Sequence, residues 1–248
     1  MTRVLGAAGC VAAAAEAVEL IAAAPDDAAL DALMARRTCG EPLAWITGST
    51  RFCSLDIGVD VGVYVPRWQS EPLALRAADL LPVQGTAVDL CTGAGAIARV
   101  LSETRPGAQV MATECDPRAA ACARRNGVDV RKGHLFDPLP DDLTGTVDVV
   151  VGVVPYVPTE ALHLLPRDVL SFEPLAALDG GPDGLDVVTE VIGMSRRWIR
   201  SGGWLLLEIG GDQVGATRGL FAAAGYGDLA VLTDGDGDPR AVLGRRLA

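Results

Sequence analysis

A chain of 248 residues has room for one α/β domain and a small appendage. Half of its residues are hydrophobic but only 4% are aromatic, so its core must be assembled mainly from Ala, Val and Leu. A formal net charge of -11 argues against a surface that coats nucleic acid, and Arg196-Arg197 and Arg245-Arg246 read as solvated element ends.

Six cysteines (Cys10, Cys39, Cys53, Cys91, Cys115, Cys122) lie scattered without metal-ligand spacing, and only His134 and His163 could join them. No metal site is therefore expected, and the free thiols suit a reducing cytoplasm. Residues 1–24 look superficially like a signal peptide, and Ala7-Ala-Gly-Cys10 like a lipoprotein cleavage site. Glu16 and Glu19 interrupt the apolar run, so a soluble helix is expected, with Val11, Ala15, Val18 and Ala22 on one face. No segment suits a membrane span.

Asp27 is the expected cap of a second helix, 28–37. Residues 51–55 and 57–65 alternate enough to suggest a β-hairpin, and Glu71-Pro-Leu opens a helix reaching about Leu81. Strands are then expected at 87–90, 109–113, 128–131, 147–152, 203–208, 229–233 and 241–244. Helices are expected at 96–104, 117–126, 185–200 and 214–224. Alternation of this kind builds a parallel sheet covered on both faces. Only a polar loop joins the last two strands, so they must pair antiparallel or sit apart.

The stretch Val88-Asp-Leu-Cys-Thr-Gly-Ala-Gly-Ala-Ile-Ala98 reads as strand, tight turn and helix. Gly93 and Gly95 let a ligand approach the backbone closely. Asp89 ends one expected strand and Glu114 the next. Two carboxylates at adjacent strand tips repel a pyrophosphate but suit a ligand with an ammonium group and a ribose diol. That favours S-adenosylmethionine over NAD, with Asp89 at the amino-acid end and Glu114 at the ribose; the plain alternative for Asp89 is a strand-terminal cap.

Further blocks carry a resemblance: Gly40-Glu-Pro-Leu-Ala-Trp-Ile-Thr-Gly48, Val65-Pro-Arg67 with Glu71, the turn from Asp89 to Ala98, Ser171-Phe-Glu-Pro-Leu-Ala-Ala-Leu178, Gly202-Gly-Trp-Leu-Leu-Leu-Glu-Ile-Gly210, and residues 234–244. Together they resemble the protein-(glutamine N(5)) methyltransferases, over roughly residues 38–245. The resemblance implies a class I methyltransferase fold, an α/β Rossmann-like seven-stranded mixed sheet with a small N-terminal helical domain and a hairpin. The implied division is 1–49 for substrate binding, 50–84 for hairpin and linker helix, and 85–248 for the cofactor. It also implies transfer of a methyl group to a glutamine amide of a protein, with a translation release factor as partner and no direct contact with nucleic acid or membrane.

The cofactor residues expected on this basis are Asp89, Cys91, Thr92, Gly93, Gly95, Ile97, Glu114, Cys115, His134, Leu135 and Phe136. His134 is either an adenine contact or a half-exposed loop residue, and Phe136 packs either on the adenine or in the core. Cys91 stands where the family has the first glycine of its turn, and Gln69 where it usually has a charge. Trp68 is a substrate-facing wall or a lid over core. Glu173 and Glu208 are expected to be structural, and Asp234, Asp236 and Asp238 to form a solvated turn.

The main departure lies at the fourth core strand. The family places Asn-Pro-Pro-Tyr there; this chain has Val153-Val154-Pro155-Tyr156, the expected acceptor-binding residues. In the family the Asn side chain and the next carbonyl accept hydrogen bonds from the substrate amide and orient its nitrogen. Val153 supplies no side-chain acceptor. That leaves as alternatives a diverged enzyme acting on a small metabolite or peptide natural product, or a non-catalytic protein that binds S-adenosylmethionine. Tyr156 either lines the acceptor pocket or packs under its loop.

Overall fold

In a computed structural model describing residues 1–248, four helices open the chain: α1 (Thr2–Ala7), α2 (Ala13–Ala23), α3 (Asp27–Thr38) and α4 (Leu43–Thr47). The single N-terminal helix expected from spacing is thus two helices, parted at Gly9, whose φ of +92° no right-handed helix permits. Asp26, rather than Asp27, caps α3: its Oδ1 accepts from the Ala29 amide at 2.8 Å. Leu5, Cys10, Ala17, Leu20 and Ile46 form a small core for these helices. Glu16 is buried and accepts from Arg37 Nε at 2.6 Å, tying α2 to α3. No helix is long and apolar enough to cross a membrane.

A hairpin follows, β1 (Ser49–Phe52) and β2 (Leu55–Gly58). It is shorter than expected because it turns at Cys53-Ser54, where both residues have positive φ (47° and 66°). That is the two-residue geometry that matches strand twist, reached here without the usual Asn or Gly. Residues 59–65 leave the hairpin as irregular chain rather than strand and run to α5 (Glu71–Leu80), whose Glu71 carboxylate accepts from the Cys53 amide at 2.9 Å.

The remaining chain alternates as β3 (Thr86–Leu90), α6 (Ala96–Thr104), β4 (Gln109–Glu114), α7 (Pro117–Arg125), β5 (Val130–Lys132) and β6 (Val147–Gly152). After α8 (Arg167–Phe172) come α9 (Asp186–Trp198), β7 (Ile199–Glu208), α10 (Val214–Ala223), β8 (Tyr226–Thr233) and β9 (Pro239–Arg246). The seven-stranded sheet runs in the order β5-β4-β3-β6-β7-β9-β8. Its first five strands are parallel, and β9 is antiparallel to both neighbours. One face packs Val149, Val151 and Leu206 against α5 and α6; the other packs Val150, Leu205 and Leu207 against α9 and α10. Strand order reverses beside β3, and ligands of open α/β sheets bind outside the strand ends at such a point.

Candidate active site

Local sequence shapes the tip of β3. After Leu90 the chain must turn sharply into α6, and Cys91, Gly93 and Gly95 all take positive φ (53°, 59° and 87°). Gly95 is also tightly packed: a Cβ there would stand 2.8 Å from Val128 Cγ2. A Cβ on Gly93 would meet nothing within 4 Å. Gly93 therefore borders the open cleft, whereas Gly95 makes the turn and seats α6 without lining the cleft.

Both expected carboxylates are at the cleft and both are held from behind. Asp89 is buried, and its Oδ2 accepts from Thr92 Oγ1 at 2.5 Å and from the Ala98 amide at 3.0 Å. Asp89 is thus the internal cap of the turn as well as a cleft residue. Burial pushes its carboxyl up to about 7, against the hydrogen bonds from Thr92 and Ala98. Glu114 accepts from the Gly93 amide through Oε2 and from the Asp116 amide through Oε1, each at 2.9 Å. Fixed amides thus hold it in one orientation before any ligand arrives.

These residues line an open cleft that includes Asp89, Cys91, Thr92, Gly93, Ile97, Glu114 and Cys115 from the expected set. Its far wall is Gly62, Val63, Tyr64, Pro66 and Arg67, with Asp116, Pro174 and Ala177; none was an expected cofactor residue, although Pro66, Arg67, Pro174 and Ala177 lie in blocks that carry the resemblance. For Asp116 a signal existed: Asp-Pro at a helix start, where its Oδ1 now accepts from the Arg118 amide at 2.7 Å. Asn126 was also missed; it accepts from the Gly58 amide and donates to Ala94 O, clamping the hairpin to the glycine turn. Burial pushes the Cys91 thiol well up, so it lines the cleft as a neutral group.

Besides Gly95, three expected cofactor residues do not line the cleft. Phe136 is fully buried with its ring stacked on Trp198, 6.1 Å between centroids, so it fills the core and does not line the cleft. Leu135 points into the same core. His134 lies outside the cleft, exposed and paired with Glu190 at 2.8 Å. The β5 turn thus puts its apolar residues under the sheet.

A second cleft adjoins the first, and Tyr64, Arg67, Val153 and Ala177 line both. It runs from the N-terminal helices (Glu16, Arg37) past an exposed Trp68 to Val154, Tyr156 and Glu208. Pro155 faces the first cleft instead. Trp68 is therefore a cleft wall, and Tyr156 lines this cleft while donating to Glu208 Oε1 at 3.0 Å. Burial pushes the Tyr64 hydroxyl up to about 12, so at the junction it is a neutral donor.

Glu173 is structural as expected, accepting from Arg67 and from the Val65 amide. Asp234 departs from its reading as a solvated residue. It is buried, accepts from the Asp236 and Asp238 amides at 3.0 Å, and pairs with Arg240 at 2.6 Å.

No family model matches the chain. A release factor glutamine methyltransferase of Geobacter sulfurreducens is 38% identical over 224 residues, covering 88% of this chain and 78% of that protein. The protein of the same name from Escherichia coli K12 is 36% identical over 224 residues, covering 87% and 79%. Among solved structures, a methyltransferase from Pyrococcus furiosus superposes with a TM-score of 0.56 at 18% identity, covering 86% of this chain and 98% of that one, a likeness of fold alone.

Proposed function

The chain belongs to the release factor glutamine methyltransferases, and on that premise we propose that it methylates the side-chain amide nitrogen of a glutamine in a translation release factor. It is an S-adenosylmethionine-dependent methyltransferase. The chemistry of the first cleft suits that donor: two carboxylates for an ammonium group and a ribose diol, and an open glycine between them. When bound there, the cofactor supplies an electrophilic methyl on a cationic sulfur.

The chain's residues supply position. Asp89 and Glu114, locked by backbone amides, are the proposed contacts for the amino-acid and ribose ends, with Thr92, Gly93, Ile97 and Cys115 beside them. Orientation of two reactants can lower a barrier by several kcal/mol without acid–base chemistry. In the second cleft, the N-terminal helices and Trp68 are the proposed wall for the substrate protein, and the acceptor amide would enter past Tyr156 to reach Val153. The carbonyls of Val153 and Val154 accept no hydrogen bond from the rest of the chain and face this role unpaired.

The observation that carries the reading is the meeting of the two clefts at Val153, at the tip of β6. The chain spans most of its relatives' length, which favours a protein acceptor over a metabolite. The test is labelled methyl transfer to a purified release factor, with the modified residue located by mass spectrometry. Label on a glutamine side chain is expected; label on a small molecule of a cell extract but not on the release factor would end the reading.

A further inference from the structure

The register of the sheet brings Glu208 to the acceptor site. Gly152 of β6 lies opposite Leu207 of β7, so Val153 and Glu208 follow at one level on adjacent strands. Side chains alternate between sheet faces. Val151 and Leu206 belong to the face covered by α5, whereas Val150 and Leu207 belong to the opposite face. Val153 and Glu208 therefore emerge together on the α5 side.

Glu208 is 3% exposed and lines the second cleft. Its Oε1 is taken by the Tyr156 hydroxyl, but its Oε2 is buried with no hydrogen-bond partner. Ser70 lies near enough to draw the carboxyl's pKa down, yet makes no aligned bond to Oε2. Leaving a buried carboxylate oxygen unpaired is costly, and such a group in a cleft wall awaits a donor. A primary amide brings two N–H donors; a backbone carbonyl of the loop can take one, and the Val153 side chain at the same level offers the other nothing.

We propose that Glu208 Oε2 accepts a hydrogen bond from the N–H of the acceptor glutamine, orients its nitrogen, and takes its proton as the methyl arrives; this rests on the glutamine reading above. In that step the nitrogen–carbon bond forms as the carbon–sulfur bond breaks, with the bonding pair remaining on sulfur. The nitrogen then sheds one proton to Oε2, which releases it to solvent along the second cleft.

The role needs Glu208 ionised. Burial pushes its carboxyl up, opposed by Ser70, Tyr156 and the Arg240 charge, while Tyr64 and Tyr156 stay neutral beside it. At saturating cofactor, where Asp89 drops out of kcat, activity should rise with pH through the Glu208 titration, and E208Q should flatten that limb.

The experiment measures methyl transfer to a release factor by wild type, E208A, E208Q, V153N and E208A/V153N, with melting temperature and S-adenosylmethionine affinity as folding controls. Loss of a hydrogen bond to a charged group predicts a fall in kcat of roughly tenfold to hundredfold for E208A. V153N should raise activity more in the E208A background than in wild type, because it restores a side-chain acceptor where none remains. Without cofactor, wild type should bind the release factor more tightly than a variant whose acceptor glutamine is methionine, and E208A should erase that preference. A folded E208A within about threefold of wild type, or V153N raising both backgrounds equally, overturns the inference alone. A wild type that leaves the release factor unmodified overturns the glutamine reading and this inference with it.

Discussion

The two clefts are built on opposite principles. At the tips of β3 and β4 both expected carboxylates have fixed partners: Asp89 is held by Thr92 and Ala98, Glu114 by Gly93 and Asp116. At the tips of β6 and β7 the carboxylate of Glu208 keeps one oxygen unpaired, beside an apolar Val153. The first arrangement is complete within one chain and answers to a small ligand of constant shape. The second is left to be completed by its partner.

The largest expected effect tests the completed cleft. Asp89→Ala frees two buried donors and removes a cleft charge, so titration calorimetry should show S-adenosylmethionine affinity falling about hundredfold. An effect of only a few fold would mean that Asp89 is a cap and nothing more. Next in size is a pair of glycine variants. Gly95→Ala strains a φ of +87° and drives a methyl into Val128, for roughly 2 kcal/mol of stability by chemical denaturation, whereas Gly93→Ala, facing open space, should lose about 1 kcal/mol. Equal losses would show that the two positions do not divide turn from cleft.

Titration of Asp89 sharpens the comparison further. A carboxyl raised to about 7 in the fold contributes stability that is fully present below its usual pKa of 3.8 and is lost as pH rises through about 7. Binding a cation demands the ionised form, so affinity should run the other way, weakening towards tenfold per pH unit below about 7. Calorimetry in buffers of different ionisation heat should detect the released proton, and Asp89→Asn should abolish it. The smallest effect belongs to His134→Ala: an exposed pair with Glu190, outside the cleft, should change S-adenosylmethionine affinity by less than about threefold.

Much of the first cleft was legible because its elements are contiguous. Strand, glycine turn, helix and the next acidic strand tip occupy residues 87–114, and local backbone chemistry places them with little help from elsewhere. The errors arose where packing decided. Phe136 and Leu135 follow the same β-turn logic as a ligand-facing loop, yet Trp198, far along the chain, drew Phe136 into the core. The hairpin turns at Cys53-Ser54 with Glu71 holding the Cys53 amide there, and Asn126 anchors the far end of β2 at Gly58, contacts that no local spacing shows.

From the sequence alone came the class of fold, S-adenosylmethionine as the cofactor, the two carboxylates at the tips of β3 and β4, and Val153 where the family has asparagine. These depend on periodicity and on motifs a few residues long, which the linear order preserves. Only the tertiary structure revealed that two clefts meet at Val153 and that Glu208 stands beside it with an oxygen to spare. Residues 153 and 208 are brought level by the pairing of β6 with β7, and no spacing in the chain encodes which strand lies next to which.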